Sequence, residues 1–184
     1  MTESNFVQCM AQLSGGDMCG LRQIYEEYGR MIYSSVLQLC RNQHMAEDIT
    51  SEFFLKLRKA AAVYREGYGH KKWLLVSARN LAIDFMRRNS REIPSDSDGG
   101  ENENYQFSEI PDRSDTETEV SSRLTAAELL DSLDVNLREI VHLKVYCGFT
   151  FAEIAAILKQ PQGTVAWRYQ SAIKKLKAMY GEVR

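Results

Sequence analysis

Residues 149–180 read FTFAEIAAILKQPQGTVAWRYQSAIKKLKAMY, two helical patterns separated by a break. Phe151, Ile154, Ala155 and Leu158 recur at helical spacing and give a first helix one apolar face. Lys159, Gln160, Pro161, Gln162 and Gly163 interrupt it. Pro161 suits the first turn of a new helix, where its missing N–H would have had no partner. Val165, Tyr169, Ile173 and Leu176 then run down a second helix. Ala155 stands where two crossing helices need a small side chain, and Val165 where the second helix fills the gap. This is the layout of a helix-turn-helix, which sets its second helix in the DNA major groove. Two packed helices that bind nothing share that spacing, and charge separates the readings. From Lys159 onward the basic residues are Lys159, Arg168, Lys174, Lys175, Lys177 and Arg184, against Glu182 alone.

The bulk composition sets the frame. With 184 residues, 44% hydrophobic and 26% charged, the chain reads as ordinary soluble protein, one domain or two small ones. Its longest apolar runs, such as Trp73 to Val76, are far too short to cross a bilayer. The opening residues show no basic segment followed by an apolar one, so no secretory signal is expected. Cys9, Cys19, Cys40 and Cys147 are widely spaced and form no C-x-x-C pair. They read as buried thiols of a reducing compartment, not as a disulfide frame or a zinc site, and the expected location is the cytoplasm. Charge is segregated: 13 Lys/Arg face 10 Asp/Glu in residues 1–92, 2 face 9 in 93–123, and 8 face 6 in 124–184. Two mildly basic blocks flank an acidic connector, so the acidic average does not argue against a nucleic-acid partner.

Taken in order, residues 4–14 predict a short helix with Phe6, Val7, Met10 and Leu13 on its apolar face. Asp17 predicts the cap of a long helix carrying Leu21, Ile24, Tyr25, Tyr28, Met31, Ile32, Val36 and Leu39 as core. Residues 44–61 predict a helix with Ile49, Phe53 and Leu57 inward and Glu47, Asp48, Ser51 and Glu52 off that face. The loop 63–70 holds Tyr64, Tyr68 and His70, aromatics that suit unstacked bases, although loop aromatics more often anchor local packing. Residues 71–88 predict a helix with a seam of Trp73, Ser77, Leu81 and Phe85. Lys71, Lys72, Arg79, Arg87, Arg88 and Arg91 line it and its ends, more cation than a helix dipole requires, and phosphates are the natural counter-charge. Residues 93–122, rich in Ser, Asp, Glu, Gly and Asn, read as a flexible acidic linker. Beyond it, Leu124, Ala127, Leu130 and Leu133 predict one helix. Leu137, Ile140, Val141, Lys144 and Val145 predict another. Thr150 and Glu153 form a capping-box pattern.

The two halves together resemble the extracytoplasmic-function (ECF) group of sigma factors of bacterial RNA polymerase. Region 2 of that family carries an A-E-D-x-x-Q-E-x-F type helix, matched by Ala46-Glu47-Asp48, Glu52 and Phe54. Its W-L-x-x-x-A-R-N-x-A-x-D-x-x-R-R helix is matched by Trp73-Leu74, Ala78-Arg79-Asn80, Ala82, Asp84 and Arg87-Arg88. Region 4 is matched by Leu133, Arg138-Glu139, Glu153-Ile154-Ala155, Pro161 and Gly163-Thr164-Val165. The chain departs from the pattern at Asp134, usually proline, and at Ser51, usually glutamine. Lys159 and Gln160 replace a glycine and an apolar residue, Trp167 a serine, and Ser171 an arginine.

The resemblance implies an all-α protein of two small helical domains. Residues 1–92 would be region 2, 93–122 the linker and 123–184 the region 4 helix-turn-helix. It implies a transcription initiation factor, not an enzyme, without cofactor or metal, whose partners are core RNA polymerase and promoter DNA, both duplex and melted. Asp48, Ser51, Glu52 and Lys56 would dock on polymerase. Tyr64, Tyr68, His70, Lys72, Arg79, Asn80, Arg87 and Arg88 would meet the downstream element. Gln162, Thr164, Ala166, Trp167, Arg168, Gln170, Ser171 and Lys174 would read the upstream one. Family members are often held inactive by an anti-sigma factor covering the same surfaces, which makes such a factor a candidate partner. A stand-alone helix-turn-helix regulator is the alternative. Scattered His44, His70 and His142 and the lack of a phosphate loop weigh against catalysis.

Overall fold

Every regular element among the described residues is helical, and five of the helices begin at a side chain that accepts from an orphan backbone N–H. The computed structural model describes residues 1–62, 64, 69–92 and 129–182. The chain divides into two units, Met1–Asp96 and Ser97–Arg184. The proposed linker 93–122 and the helix start expected at Leu124 lie outside the described residues.

The first unit holds α1 (Glu3–Ser14), α2 (Met18–Cys40), α3 (Gln43–Ala61) and α4 (His70–Glu92). Thr2, Asp17 and Asn42 cap the first three through their side chains. Phe6, Leu13, Ile24, Ile32, Val36, Ile49, Leu57 and Leu74 are fully buried and form the core. Each such side chain contributes about 1.5–3 kcal/mol on leaving water. α1 lies so close on α2 that a Cβ at Gly20 would stand 2.2 Å from the Cys9 carbonyl oxygen. Only glycine permits that approach.

Two expected faces are shifted. The inward line of α4 is Leu74, Leu75, Ala78 and Ala82, and Trp73, Ser77, Leu81 and Phe85 form its half-buried shoulder. The alanines let α4 pack closely, so the seam follows small residues and not the bulkiest ones. Tyr25, expected in the core, is 56% exposed and touches Phe54 by its edge. The cysteines are also not uniformly buried, since Cys19 is exposed at the start of α2.

The second unit holds α5 (Val135–Val141), continued by a π-helical turn His142–Tyr146, then α6 (Phe151–Leu158) and α7 (Gln162–Glu182). Asp134, where the family has proline, caps α5 by accepting from the Leu137 N–H at 3.1 Å. Leu133, Leu137, Val141 and Ala172 form one buried cluster, with Leu130, Tyr169 and Leu176 against it. The wider π turn rotates Val145 outward, where it is 65% exposed, and brings Leu143 inward. Val145 was expected on the apolar face, and an unbroken α register is what misplaced it. Lys144 is not core either: its ammonium donates to the Phe149 carbonyl and sits 4.8 Å from the Phe151 ring centroid. It thereby fixes the entry to α6. Burial pushes His142 down to about 4, so the ring is neutral at physiological pH.

Candidate nucleic-acid interface

α7 carries the sharpest feature. The capping box holds as expected: Thr150 N–H donates to Glu153 at 2.8 Å, and Glu153 N–H to the Thr150 hydroxyl at 3.3 Å. Ala155 and Val165 are both buried at the crossing of α6 and α7. That packing turns Gln162, Gly163, Trp167, Gln170, Lys174 and Lys177 to solvent. Trp167 is 67% exposed, a large apolar surface in the middle of a polar and basic stripe. Thr164, Ala166, Arg168 and Ser171 lie half-buried on the flanks. Arg168 donates from Nη1 to Oε1 of Gln160 at 2.7 Å. Gly163 and Lys177 were not among the expected readers, although the 163–167–170–174–177 spacing marks one helix face.

Between α6 and α7, Lys159 takes the left-handed conformation (φ 54°, ψ 46°), and its N–H donates to the Ala155 carbonyl. Glycine is common at this kind of helix end because it lacks the Cβ that clashes there.

On α3 the burial of Ala46, Ile49, Phe53, Phe54 and Leu57 leaves Asp48, Ser51, Leu55 and Lys56 outward, with Glu52 partly covered. Lys56 pairs with Glu52 at 2.5 Å, so the two act as one nearly neutral group, and an exposed pair of this kind adds little stability. Leu55, 76% exposed, was missed. Its signal was an apolar residue out of phase with the buried stripe.

α4 presents Asn80, Asp84, Arg87 and Arg88 to solvent, with Lys72 and Arg79 half-buried to one side. Arg88 lies 5.8 Å from the Phe85 ring centroid. At its N-terminal end the structure revises the expectation. Tyr64 and His70 do not offer open stacking faces. Phe6 packs on both, with centroids at 5.1 and 4.9 Å, and Trp73 closes on Tyr64 at 5.0 Å. Glu3 of α1 ties the pair together. It accepts from the Tyr64 hydroxyl at 2.5 Å and from the His70 backbone N–H at 3.2 Å, and it pairs with His70 Nδ1. Those bonds, Tyr64 first, hold the Glu3 carboxyl down at about 2. Burial pushes Tyr28 up to about 12. Tyr28 therefore keeps its proton, and its hydroxyl hydrogen-bonds with His70 Nε2, 2.6 Å away. Tyr64 and His70 are thus tied to α1 by packing and hydrogen bonds, and Tyr68 lies outside the described residues.

Among the described residues no group of three or more His, Cys, Asp or Glu is placed to hold a metal ion. What the two units offer is binding surface: an acidic-apolar stripe on α3, a basic one on α4, and a helix-turn-helix with an aromatic at its centre. Fold and surfaces thus define an all-α, two-unit DNA-binding protein. Residues 24–92 match sigma-70 region 2 and residues 123–176 match sigma-70 region 4. Among curated relatives, the ECF RNA polymerase sigma factor SigL of Mycobacterium tuberculosis (strain Erdman) is 28% identical over 182 residues, covering 95% of this chain and 98% of that protein. SigK of M. tuberculosis (strain H37Ra) is 23% identical over 177 residues, covering 91% and 89%. Two solved structures share the fold. CnrH, in complex with the cytosolic domain of CnrY, gives a TM-score of 0.66 at 18% identity, covering 97% of this chain and 98% of that one. The sigma factor RpoE of Bartonella quintana, in complex with the anti-sigma factor NepR, gives 0.64 at 20% identity, covering 89% and 98%. The chain belongs to the sigma-70 family, in its ECF group. It is a transcription initiation factor that binds core RNA polymerase and directs it to promoters.

Proposed function

We propose that three surfaces divide this work. The outward stripe of α3, Asp48, Ser51, Leu55 and the Glu52–Lys56 pair, docks on core polymerase. Asn80, Arg87 and Arg88, flanked by Lys72 and Arg79, run along the melted downstream element and its phosphates. α7 enters the major groove of the upstream element with Gln162, Gly163, Trp167, Gln170 and Lys174 facing the bases and Lys177 the backbone. The observation that carries this reading is the stripe of α7, which the α6 crossing leaves open to solvent over about four turns. The protein performs no chemistry and works in the cytoplasm, where its polymerase is. The stand-alone regulator alternative leaves the whole region 2 unit without a role. One structural relative, RpoE, was solved with an anti-sigma factor, which supports testing for such a partner here.

The test is reconstitution. The purified chain should co-elute with bacterial core polymerase and direct run-off transcription, and sequencing the 5′ ends should return one pair of elements. A chain that binds duplex DNA tightly alone yet never co-elutes with core enzyme would overturn the assignment of α3. Leu55→Asp should weaken co-elution by about tenfold, because a charge replaces an apolar anchor at a desolvated interface. It should leave the helical content intact.

A further inference from the structure

Gln160 stands where the family has an apolar residue, in the turn between α6 and α7. Its backbone is fixed by the helix end: its own N–H donates to the Ala155 carbonyl at 3.0 Å. From that fixed base its side-chain oxygen accepts from Arg168 Nη1 at 2.7 Å, a part-buried bond across eight residues. Residues of an α-helix are spaced by about 100° around its axis. Arg168 is therefore turned well away from the line of Gly163, Trp167, Gln170 and Lys174, and Gln160 pulls its guanidinium further back toward the turn. A guanidinium has five donors in a fixed fork, so one bond to an amide oxygen orients it and leaves others for an anion. At the flank of a helix lying in a groove, the anion within reach is a backbone phosphate. The base edges lie under the central stripe.

Resting on the reading of α7 as the upstream-element helix, we propose that Gln160 is a specificity-determining positioning residue: it commits Arg168 to the phosphate backbone and leaves base discrimination to the outward stripe centred on Trp167. The apolar residue usual at this position has no acceptor and cannot do this. A free arginine beside the groove floor seeks the O6 and N7 acceptors of guanine. Gln160 removes that preference from the promoter this protein selects.

The experiment uses reconstituted holoenzyme and a promoter library randomised over the upstream element. It compares wild type, Gln160→Leu, Gln160→Glu, Arg168→Ala and the Gln160→Leu/Arg168→Ala double variant. Arg168→Ala should weaken binding evenly across sequences and make the log–log salt slope shallower by roughly one, with the selected motif unchanged. Gln160→Leu should lower affinity for the best wild-type promoter by about three- to tenfold and gain a guanine preference at one position. Gln160→Glu keeps the acceptor and should keep the wild-type motif. The double variant should match Arg168→Ala alone, since Gln160 acts only through that side chain. Additive losses would overturn the proposal, as would an unchanged motif and affinity in Gln160→Leu. So would a base preference lost in Arg168→Ala. If Arg168→Ala changes nothing while substitution of Trp167 does, Arg168 is outside the interface and only this inference falls. If neither matters, the placement of α7 itself is overturned. Hydrogen exchange of the α6 and α7 amides separates these outcomes from misfolding.

Discussion

Gly163 is unusual because nothing among the described residues asks for it. It lies within α7, it has no positive φ, and a Cβ built there meets no atom within 4 Å. A glycine in a helix costs about 1 kcal/mol against alanine; on the proposed placement of α7 in the groove, its reason is a close approach of DNA to the first turn. Gly163→Ala should therefore leave the fold as stable or more so, yet weaken holoenzyme binding to the upstream element by about tenfold. A melting curve and a binding isotherm on the same sample check both halves, and unchanged binding would remove Gly163 from the interface. Lys159 is the converse case, a non-glycine residue held at φ 54°. A left-handed conformation costs an L-residue roughly 1–2 kcal/mol. Lys159→Gly should recover about 1 kcal/mol, read as stronger hydrogen-exchange protection of the α6 amides. A loss of protection would mean that the lysine side chain holds the turn by contacts of its own.

Among the elements, α1 is the one whose task the sequence concealed. Its apolar face was legible, because Phe6, Met10 and Leu13 repeat at helical spacing and are buried. Its grip on the far end of the unit was not, since Glu3 and His70 are 67 residues apart and no periodicity reports such a pairing. The seam of α4 and the continuation of the α5 face at Lys144 and Val145 were misplaced for related reasons. Bulky residues dominate a pattern even where alanines make the contact, and a π turn changes the period midway. The capping box, the helix-turn-helix crossing and the Asp17 cap were readable because each is a local rule satisfied within a few residues. The Glu3 clasp has a pH signature. Its carboxyl is held at about 2 against an ordinary 4.5, so its contribution is fully present above 4.5 and is lost as pH falls toward 2. Wild type should thus lose more stability than Glu3→Gln between those values, followed by thermal unfolding at stepped pH. Parallel curves would show that the clasp does not stabilise the fold.

At the scale of the molecule, each unit carries its own core: Phe6, Ile24, Ile49 and Leu74 in one, Leu133, Leu137, Val141 and Ala172 in the other. Each set comes from a single unit, so the units should survive separation while their joint activity does not. Promoter selection by this family needs two elements bound at once, and a covalent tether makes the second contact intramolecular. As a flexible tether, the proposed linker would set an effective concentration on the order of millimolar. A protease site inserted after Asp98, inside the proposed linker, isolates that term. Before cleavage the variant should support run-off transcription like wild type. After cleavage each fragment should keep its helical circular dichroism and its own unfolding transition. Run-off from the cognate promoter should drop by about a hundredfold at submicromolar protein, because the upstream contact has become a separate bimolecular event. Raising the concentration of the region 4 fragment should restore part of the signal. If both fragments collapse on cleavage, the two cores depend on each other and the division into units is wrong. If run-off is undiminished, polymerase itself holds the two pieces in place, and residues 93–122 contribute nothing to promoter choice.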